Sequence, residues 1–408
     1  MSTRRSIGRK SRRFAIAALV AVGSLWQASS ARAQTKREPP VVLPKVDVYA
    51  NVPLVKVAEY QMREARYQPA AVALGDFIYI IGGSTAHDSL LDSVERFNVR
   101  TGKSEDFAKL GNGRSGHRAV VVGNRIYVLG GYSTLSYQSV TGGGGVASGS
   151  VWADNPYDVM ATRSENPNIP TGPGVIDPTQ VSDGHGLRTV VQHVSGVAEV
   201  TGLEQSVEIL DLATRKVTHA AEMPDPRALF GCVARDGKIF VVGGRRLYRH
   251  SSLSRTNTVE VFDLATGKWS AGVPMPTPRE TEAVLVDGRV IVVPGGYDGK
   301  AASSAVEVFD PQARLWRFLP PLCRPTSAHS LVFLGDYLFL FGHDALPGEL
   351  VAYDLKAKTS EAFTLQYRPA RNTAAVVHED KIYVIGGQAS SVSDPLNTIQ
   401  VFALRKKT

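Results

Sequence analysis

The sequence predicts an all-β protein, built as a closed ring of six four-stranded sheets. Three observations predict this fold. A short motif that ends in two glycines recurs along the 408-residue chain. Five copies lie among four strand-like runs each, whereas the last copy lacks the fourth run. Self-similarity with a period of roughly 20–50 residues is typical of stacked repeats.

The repeated motif consists of a turn dipeptide, a short apolar run and a Gly-Gly pair. Its copies read GDFIYIIGGS, GNRIYVLGGY, DGKIFVVGGR, DGRVIVVPGGY, GDYLFLFGHD and EDKIYVIGGQ. The first glycine of each pair is Gly82, Gly130, Gly243, Gly295, Gly342 or Gly386. Four of the five intervals are 44 to 52 residues long and the fifth is 113, which indicates an insertion in the second unit. The fifth copy departs from the pattern, with His343 in place of the second glycine.

Each unit contains four predicted strands. The first is small and apolar, such as AAVAL from Ala70, and in five of the six units it leads into a Gly-Asp, Gly-Asn or Asp-Gly turn of the hairpin type. The second strand ends at the Gly-Gly pair. The third reads SVERFN, SVEILD, TVEVFD, AVEVFD or LVAYDL and alternates as a half-buried strand does. The fourth often carries an aromatic residue, such as Trp269 or Trp316.

The Gly-Gly pair predicts a close contact between sheets. Glycine weakens a strand unless another part of the protein approaches it closely. Because the pair ends the same strand in five of the six units, we expect a neighbouring sheet to pack there, as in a radial arrangement.

These motifs resemble the kelch repeat, whose units share the double glycine, the Val-Glu strand and the late aromatic residue. The resemblance covers residues 54–404 apart from one insertion, and it implies a six-bladed kelch β-propeller. The sixth unit ends at TIQVFALRKKT without a fourth strand, so we expect LVKVAEYQM (Leu54–Met62) to complete the last blade and close the ring. Residues 34–53 would then be a proline-rich arm, and residues 405–408 a short basic tail.

The positive charge is concentrated at the N-terminus. The chain has a net charge of +8, but residues 1–33 contain seven basic residues and no acidic one. Removing these seven from the total of 46 leaves 39 basic against 38 acidic residues, so the body is close to neutral. A nucleic-acid-binding surface needs a strongly basic body, and we therefore expect no nucleic-acid partner.

The order of residues 1–33 is that of a bacterial-type signal peptide: a basic region, a short apolar run and Ala31-Arg32-Ala33. We expect cleavage after Ala33 and an exported protein, periplasmic or secreted, with no membrane span in the mature chain. Arg4-Arg5 leaves both the general and the twin-arginine export routes open. We expect a monomer in which Cys232 and Cys323 are free thiols, because the repeat places them two blades apart.

The insertion, at about residues 132–204, lies between the second and third strands of blade two. It is rich in glycine, proline and serine, which is typical of irregular chain. Four aromatic residues in it, Tyr132, Tyr137, Trp152 and Tyr157, have two interpretations: they stack on a sugar, or they pack a small satellite core.

Arginine precedes the first glycine by sixteen residues in four units, at Arg66, Arg114, Arg227 and Arg279. Two further arginines, Arg324 and Arg371, lie in the same region but off register by two and one. The kelch resemblance implies a ring of guanidinium groups around one mouth of the central channel, able to bind a carboxylate or phosphate. Arg245 and Arg246, after a Gly-Gly pair, belong to the same face. The alternative is structural: each arginine could pair with the glutamate of its third strand (Glu95, Glu208, Glu260 and Glu307).

Four residues are candidates for acid–base chemistry. Glu280 and Glu282 lie on one side of a strand of period two, and Glu282, His117 and His329 occupy equivalent repeat positions. Near an arginine ring, such groups could open and reclose a sugar hemiacetal. The histidines are scattered, without ligand spacing, so we expect no metal and no cofactor.

Three functions remain open. The first is a binding module for an anionic carbohydrate or an acidic peptide or protein. The second is a metal-independent enzyme that resembles the N-acetylneuraminate epimerases (mutarotases). The third is a copper enzyme that resembles galactose oxidase, although neither cysteine matches its cross-linked site. We place the binding module first, because a repeat specifies a scaffold and a fold does not fix a function.

Overall fold

The computed structural model describes residues 52–138, 192–194, 197–248 and 252–405. These residues form strands and no helix, which confirms the all-β prediction. The predicted signal peptide, most of the proline-rich arm, most of the insertion and the last three residues lie outside the described residues.

The first strands form the N-terminal segment and blade one, where a blade is one four-stranded sheet of the ring. The strand β1 is Leu54–Gln61. Blade one consists of β2 (Ala70–Leu74), β3 (Phe77–Ile81), β4 (Ser93–Asn98) and β5 (Lys103–Lys109). Consecutive strands pair antiparallel in this order, so the chain passes outward through the blade.

Blade two carries the insertion and a second sheet. In chain order its strands are β6 (Arg114–Ser115), β7 (Arg118–Val122), β8 (Arg125–Leu129), β9 (Tyr132–Gln138), β10 (Gln192–Val194), β11 (Val197–Leu203), β12 (Val207–Asp211) and β13 (Val217–His219). The blade itself is β7-β8-β12-β13, whereas β6, β9, β11 and β10 form the second sheet, which is also four-stranded. The insertion therefore leaves and re-enters the blade between its second and third strands, where the spacing of the repeats predicts it.

Blade three is built in the same way, with a three-stranded second sheet. Its strands are β14 (Arg227–Ala228), β15 (Gly231–Arg235), β16 (Lys238–Val242), β17 (Arg245–Tyr248), β18 (Ser252–Arg255), β19 (Val259–Asp263) and β20 (Lys268–Ala271). The blade is β15-β16-β19-β20, and the second sheet is β14-β17-β18.

The remaining strands complete the ring. Blade four is β21 (Val284–Val286), β22 (Val290–Pro294), β23 (Val306–Asp310) and β24 (Leu315–Leu319); blade five is β25 (Ser330–Leu334), β26 (Tyr337–Phe341), β27 (Glu349–Asp354) and β28 (Thr359–Thr364). Blade six contains β29 (Ala374–His378), β30 (Lys381–Ile385) and β31 (Thr398–Leu404). Its fourth strand is β1, which pairs antiparallel with β31 from Leu54↔Leu404 to Gln61↔Thr398. The expected closure through the N-terminal segment is confirmed.

The innermost strands show the circular order. Each of β2, β7, β15, β21 and β25 contacts the innermost strand of the next blade, and β29 contacts both β25 and β2. The core is divided accordingly into clusters of buried apolar residues, each of which lies between two neighbouring blades. The cluster between blades five and six, for example, joins Phe339 and Phe341 to Phe402 and Leu54.

One expectation about the strands needs correction. In blades three and four the third strand is more than half-buried: in β19 and β23 the first four of five residues are buried. A third strand has a neighbouring blade on each of its faces, so both sets of alternating side chains lie in a core.

Candidate functional site

The candidate site is a cavity at one mouth of the central channel. Its volume is about 190 Å³, and all six blades contribute residues to its lining. The lining comes from two kinds of segment, the entry to each innermost strand and the loop between the second and third strands. This is the face on which the sequence places the arginines. The insertion of blade two begins at the same face, since Tyr132 and Ser133 of β9 pair with Ser115 and Arg114.

The four in-register arginines do not line this cavity. Arg66, Arg114, Arg227 and Arg279 are at most 1% exposed. Each forms an ion pair with the glutamate of its own third strand: Arg66 with Glu95 (2.5 Å), Arg114 with Glu208, Arg227 with Glu260 (2.5 Å) and Arg279 with Glu307 (2.9 Å). Each guanidinium also donates to the carbonyl of the first glycine of its blade. The expected ring of ligand-facing guanidinium groups is therefore replaced by a ring of buried ion pairs behind the cavity wall.

Blades five and six show that this pairing is structural. The residue at the arginine position is Thr326 in blade five and Ala370 in blade six. In every blade the glutamate position pairs with the second-strand residue that precedes the first glycine by two. In blades five and six this position is occupied by Val351 and Gln400. Arginine and glutamate are thus present together or absent together. A lone buried charge costs far more free energy than a buried pair, so a pair with a structural role is expected to occur complete or not at all. We call these four buried arginine–glutamate pairs the buried struts.

The cavity contains an ion pair that the sequence analysis missed. Arg118 of blade two donates to the Glu282 carboxylate of blade four, with Nη2 and Oε1 2.5 Å apart. Burial raises the pKa of Glu282 to about 7, and Arg118 opposes that rise. One signal in the sequence could have identified Arg118. The equivalent residues of the other blades are all small: Ala70, Gly231, Ala283, Ser330 and Ala374.

Glu280 lies at the centre of a second charged cluster. Arg245 donates to its Oε1 at 2.8 Å, and Nη2 of Arg255 lies 2.7 Å from the same oxygen. The guanidinium of Arg255 also lies over the ring of Tyr297, 5.0 Å from its centroid. Two arginines thus converge on one carboxylate oxygen at the wall of the cavity.

Blades one, five and six supply the remaining polar groups. Arg371 forms an ion pair with Asp344, and burial lowers the pKa of Arg371. The Tyr67 hydroxyl donates to Asp88, and burial together with this bond raises the pKa of Tyr67. The carboxylates of the lining therefore already have partners, so a ligand group has to compete with them.

The two candidate histidines are buried beside the glycines of the repeat. His117 is 0% exposed and His329 is 5% exposed. Burial lowers the pKa of His117 well below its ordinary value and that of His329 to about 3. Both imidazoles are therefore neutral at neutral pH. Of the two, only His329 lines the cavity.

Two other predicted residues lie away from the cavity lining. Arg324 pairs with Glu349 at 2.7 Å, and Arg246 pairs with Asp225 at 3.0 Å. Of the eight predicted ligand-binding arginines, only Arg245 and Arg371 line the cavity. Among the aromatic residues of the insertion, Tyr132 is buried, which fits a packing role. The side chains of Tyr137, Trp152 and Tyr157 lie outside the described part of the chain.

Three further observations concern metal binding, membrane spans and the two cysteines. Within the described ranges, no three His, Cys, Asp or Glu side chains are close enough together to hold a metal ion. In the same residues there is no helix long and apolar enough to cross a membrane. Cys232 and Cys323 are free, as expected.

Comparison with known proteins places this architecture among kelch repeats. The Kelch motif matches residues 65–111, 113–142 and 369–408. The KLHDC2/KLHL20/DRC7 Kelch-repeats domain matches residues 199–342.

Three curated proteins illustrate the extent of the similarity. Kelch-like protein 23 of Homo sapiens is 25% identical over 191 residues, which cover 45% of this chain and 34% of that protein. Kelch domain-containing protein 8B of Mus musculus is 34% identical over 143 residues, or 33% of this chain and 40% of that protein. Beta-scruin of Limulus polyphemus is 26% identical over 208 residues, or 47% of this chain and 22% of that protein. The chain thus aligns with less than half the length of each.

Proposed function

We propose that this kelch-repeat protein is a binding module that holds a segment of a partner protein at the mouth of its central channel. The observation that carries the proposal is the convergence of polar side chains from all six blades on one cavity. A propeller needs close packing at its centre, but it does not need a recess lined by charged groups. Perturbed charged residues in a recess are the usual mark of a binding site.

The size of the cavity favours a side chain over a whole small molecule. Its volume of about 190 Å³ is below the ~300–1,000 Å³ of a typical small-molecule pocket. The loops beside it extend the surface outward and carry apolar groups, since Leu346 is 45% exposed and Val392 is 93% exposed. A partner protein could insert one polar side chain into the cavity and contact the apolar side chains of these loops with its neighbouring residues.

The chemistry of the cavity favours an acidic inserted group. Arg118 and Arg371 line the cavity with partly exposed guanidinium groups, and the more deeply buried Arg245 lies beside them; guanidinium groups bind carboxylates well. The same groups would accept a carboxylated sugar, which is the other ligand class that the sequence predicts. An acidic peptide and a carboxylated sugar are therefore compared in one experiment.

The test is a selection of random twelve-residue peptides displayed on phage against the full chain. We expect peptides rich in Asp and Glu, and we expect Arg371→Ala and Arg245→Ala to lose binding. Arg100→Ala is the matched control. Arg100 pairs with Asp76 at the end of blade one that lies away from the cavity. N-acetylneuraminate is added as a competitor. Peptides that bind all three variants equally would contradict the proposed site. Displacement of the peptides by the sugar would show that the same site also accepts a carboxylated sugar.

A second function is supported by one observation, the position of Glu282. A carboxyl group with a pKa of about 7 in a cavity suits acid–base catalysis near neutral pH. A mutarotase that resembles the N-acetylneuraminate epimerases would use such a group to open and reclose a sugar ring. NMR measurement of anomer exchange with the parent and with Glu282→Gln tests this function. Equal exchange rates with and without the protein would exclude it for the sugar used.

Export is part of the proposal, because residues 1–33 have the order of a signal peptide. Expression of the full chain in a bacterium, followed by fractionation and N-terminal sequencing, tests it. We expect a mature chain that begins at Gln34 in the periplasm or the medium. An intact N-terminus in the cytoplasm would contradict export.

A further inference from the structure

Arg118 occupies a position that every other blade fills with a small residue. The innermost strands lie close together there: a Cβ atom on Gly231 of blade three would lie 2.5 Å from the Cβ of Ala283 in blade four. A long charged side chain at this level has no room between blades. It has to extend along the channel, towards the mouth cavity that Arg118 lines.

The side chain of Arg118 passes the neighbouring blade and reaches the one beyond it. Its Nη1 donates to the carbonyl of His117 at 2.9 Å, and its Nη2 reaches Glu282 of blade four. Both side chains remain partly accessible from the cavity, Arg118 at 16% and Glu282 at 24%. The pair therefore lies at the surface of the site and not behind its wall, unlike the buried struts.

The groups that face this pair are neutral or already paired. From blade three, the Cys232 thiol faces both members, and burial raises its pKa to about 12. From blades two and five, His117 and His329 face Arg118, and burial keeps both imidazoles neutral. On the segment of Glu282 itself, Arg279 is paired with Glu307 and Glu280 with Arg245. Among the described residues, Arg118 and Glu282 are thus each other's ionic partner.

We propose that Arg118 is the binding site for a carboxylate of the partner, and that Glu282 takes up a proton when that carboxylate displaces it. The inference rests on the proposed function, because it assigns the chemistry of the group that the partner inserts. Two carboxylates beside one guanidinium in a partly buried site repel each other, so one of them becomes protonated. Glu282, whose pKa is already raised to about 7, accepts the proton more readily than an ordinary Asp or Glu of the partner.

The consequence is a binding affinity coupled to pH. Above the pKa of Glu282, binding takes up one proton, so the dissociation constant for a carboxylate rises about tenfold for each pH unit. Between about pH 6 and pH 8 the probe carboxylate itself stays ionised, so this dependence reports on the protein.

The experiment is a titration of the full chain with ¹³C-carboxyl acetate, followed by NMR at constant ionic strength across this pH range. We expect the parent to bind more weakly as the pH rises, and Glu282→Gln to bind with the same affinity at every pH. Arg118→Ala should lose the binding, whereas Arg100→Ala should keep the parent's profile. Separately, the ¹³C signal of the Glu282 carboxyl, assigned by its loss in Glu282→Gln, should titrate near pH 7 in the free protein.

The outcomes separate this inference from the proposed function. Acetate binding that is independent of pH in the parent, or that survives in Arg118→Ala, would overturn the inference. Selected peptides that bind the parent while acetate does not would also overturn it, and they would leave the peptide-binding function intact. Proton-linked acetate binding without any selected peptide would support the carboxylate site and count against a peptide partner.

Discussion

The backbone N–H of Gly131 donates a hydrogen bond to the carbonyl of Arg227 in the next blade, with N and O 2.8 Å apart. The same bond recurs around the ring, from Gly83 to Arg114, Gly244 to Arg279, Gly296 to Thr326 and Gly387 to Arg66. The second glycine of each pair therefore joins two blades. The first glycine makes room for this contact, since a Cβ atom on Gly130 would lie 2.6 Å from the same carbonyl oxygen.

This contact predicts that Gly130→Ala destabilises the protein more than its backbone conformation alone requires. Gly123, in the hairpin turn of the same blade, is the matched control. Its φ is +58° against +57° at Gly130, but nothing lies within 4 Å of the position of its Cβ. We expect Gly123→Ala to lower the free energy of unfolding by about 1–2 kcal/mol. Gly130→Ala should lower it by roughly a further 1–3 kcal/mol because of overpacking. Urea denaturation measures both, and equal losses would contradict the inter-blade contact.

The buried struts predict a strong coupling between Arg227 and Glu260. Replacing one partner leaves the other charge buried, so Arg227→Thr alone should cost about 3–5 kcal/mol. Burial raises the pKa of Glu260 to about 7, which shows how poorly this site solvates a charge. The double variant Arg227→Thr/Glu260→Val copies the pair that blade five uses, Thr326 and Val351.

We expect the double variant to be more stable than Arg227→Thr, because it removes the unpaired charge. A double-mutant cycle based on urea denaturation gives the coupling energy. If the two losses simply add, the arginine and the glutamate do not act as a pair. A ligand-binding role for Arg227 would then regain support.

The sequence was sufficient for the fold but not for the site. The Gly-Gly spacing predicts the blades, and the missing fourth strand predicts the pairing of β1 with β31. Both features depend on backbone geometry that repeats along the chain. The site depends on contacts that do not repeat: Arg118 and Glu282 are 164 residues apart, and no other blade has either residue at its position.

The arginines also show what the sequence does not reveal about the site. Their regular spacing is visible in the sequence, but regularity alone does not tell whether a guanidinium faces the channel or the blade. The glutamate that repeats with each arginine was the informative signal, because it supplies a buried partner in the same blade. Arg245 and Arg371, which do line the cavity, both lie outside that register, but so do Arg246 and Arg324, which do not line it.

The buried histidines predict a defined loss of stability in acid. His329 has a pKa of about 3 in the folded protein, against 6.5 in the unfolded chain, because of its burial. Between these two pH values the unfolded chain binds the extra proton, so stability falls as the pH falls, by about 1.4 kcal/mol per pH unit. Glu260 and Glu282 act in the opposite direction: their raised pKa values give stability that is lost as the pH rises towards 7.

His329→Phe isolates the histidine contribution from these opposing ones. Phenylalanine is the residue that blade three has at the equivalent position, Phe230, where it is fully buried. Below about pH 6.5, we expect the free energy of unfolding of the variant to fall less steeply with falling pH than that of the parent. The two slopes should differ by the contribution of one proton, about 1.4 kcal/mol per pH unit. Urea denaturation at a series of pH values measures both slopes. Identical slopes would show that His329 is not held neutral in the folded protein.

The closing strand predicts that two adjacent residues of β1 differ sharply in their effect on stability. Leu54 is 1% exposed and packs into the cluster between blades five and six, whereas its neighbour Val55 is 37% exposed. Leu54→Ala should cost about 2–5 kcal/mol, because it leaves a cavity in that cluster. Val55→Ala should cost no more than about 0.5 kcal/mol, as is usual for surface positions. If thermal and urea denaturation give equal, small losses for the two variants, β1 does not close the ring in solution. A large loss for Leu54→Ala alone would show that the N-terminal strand stabilises the last blade.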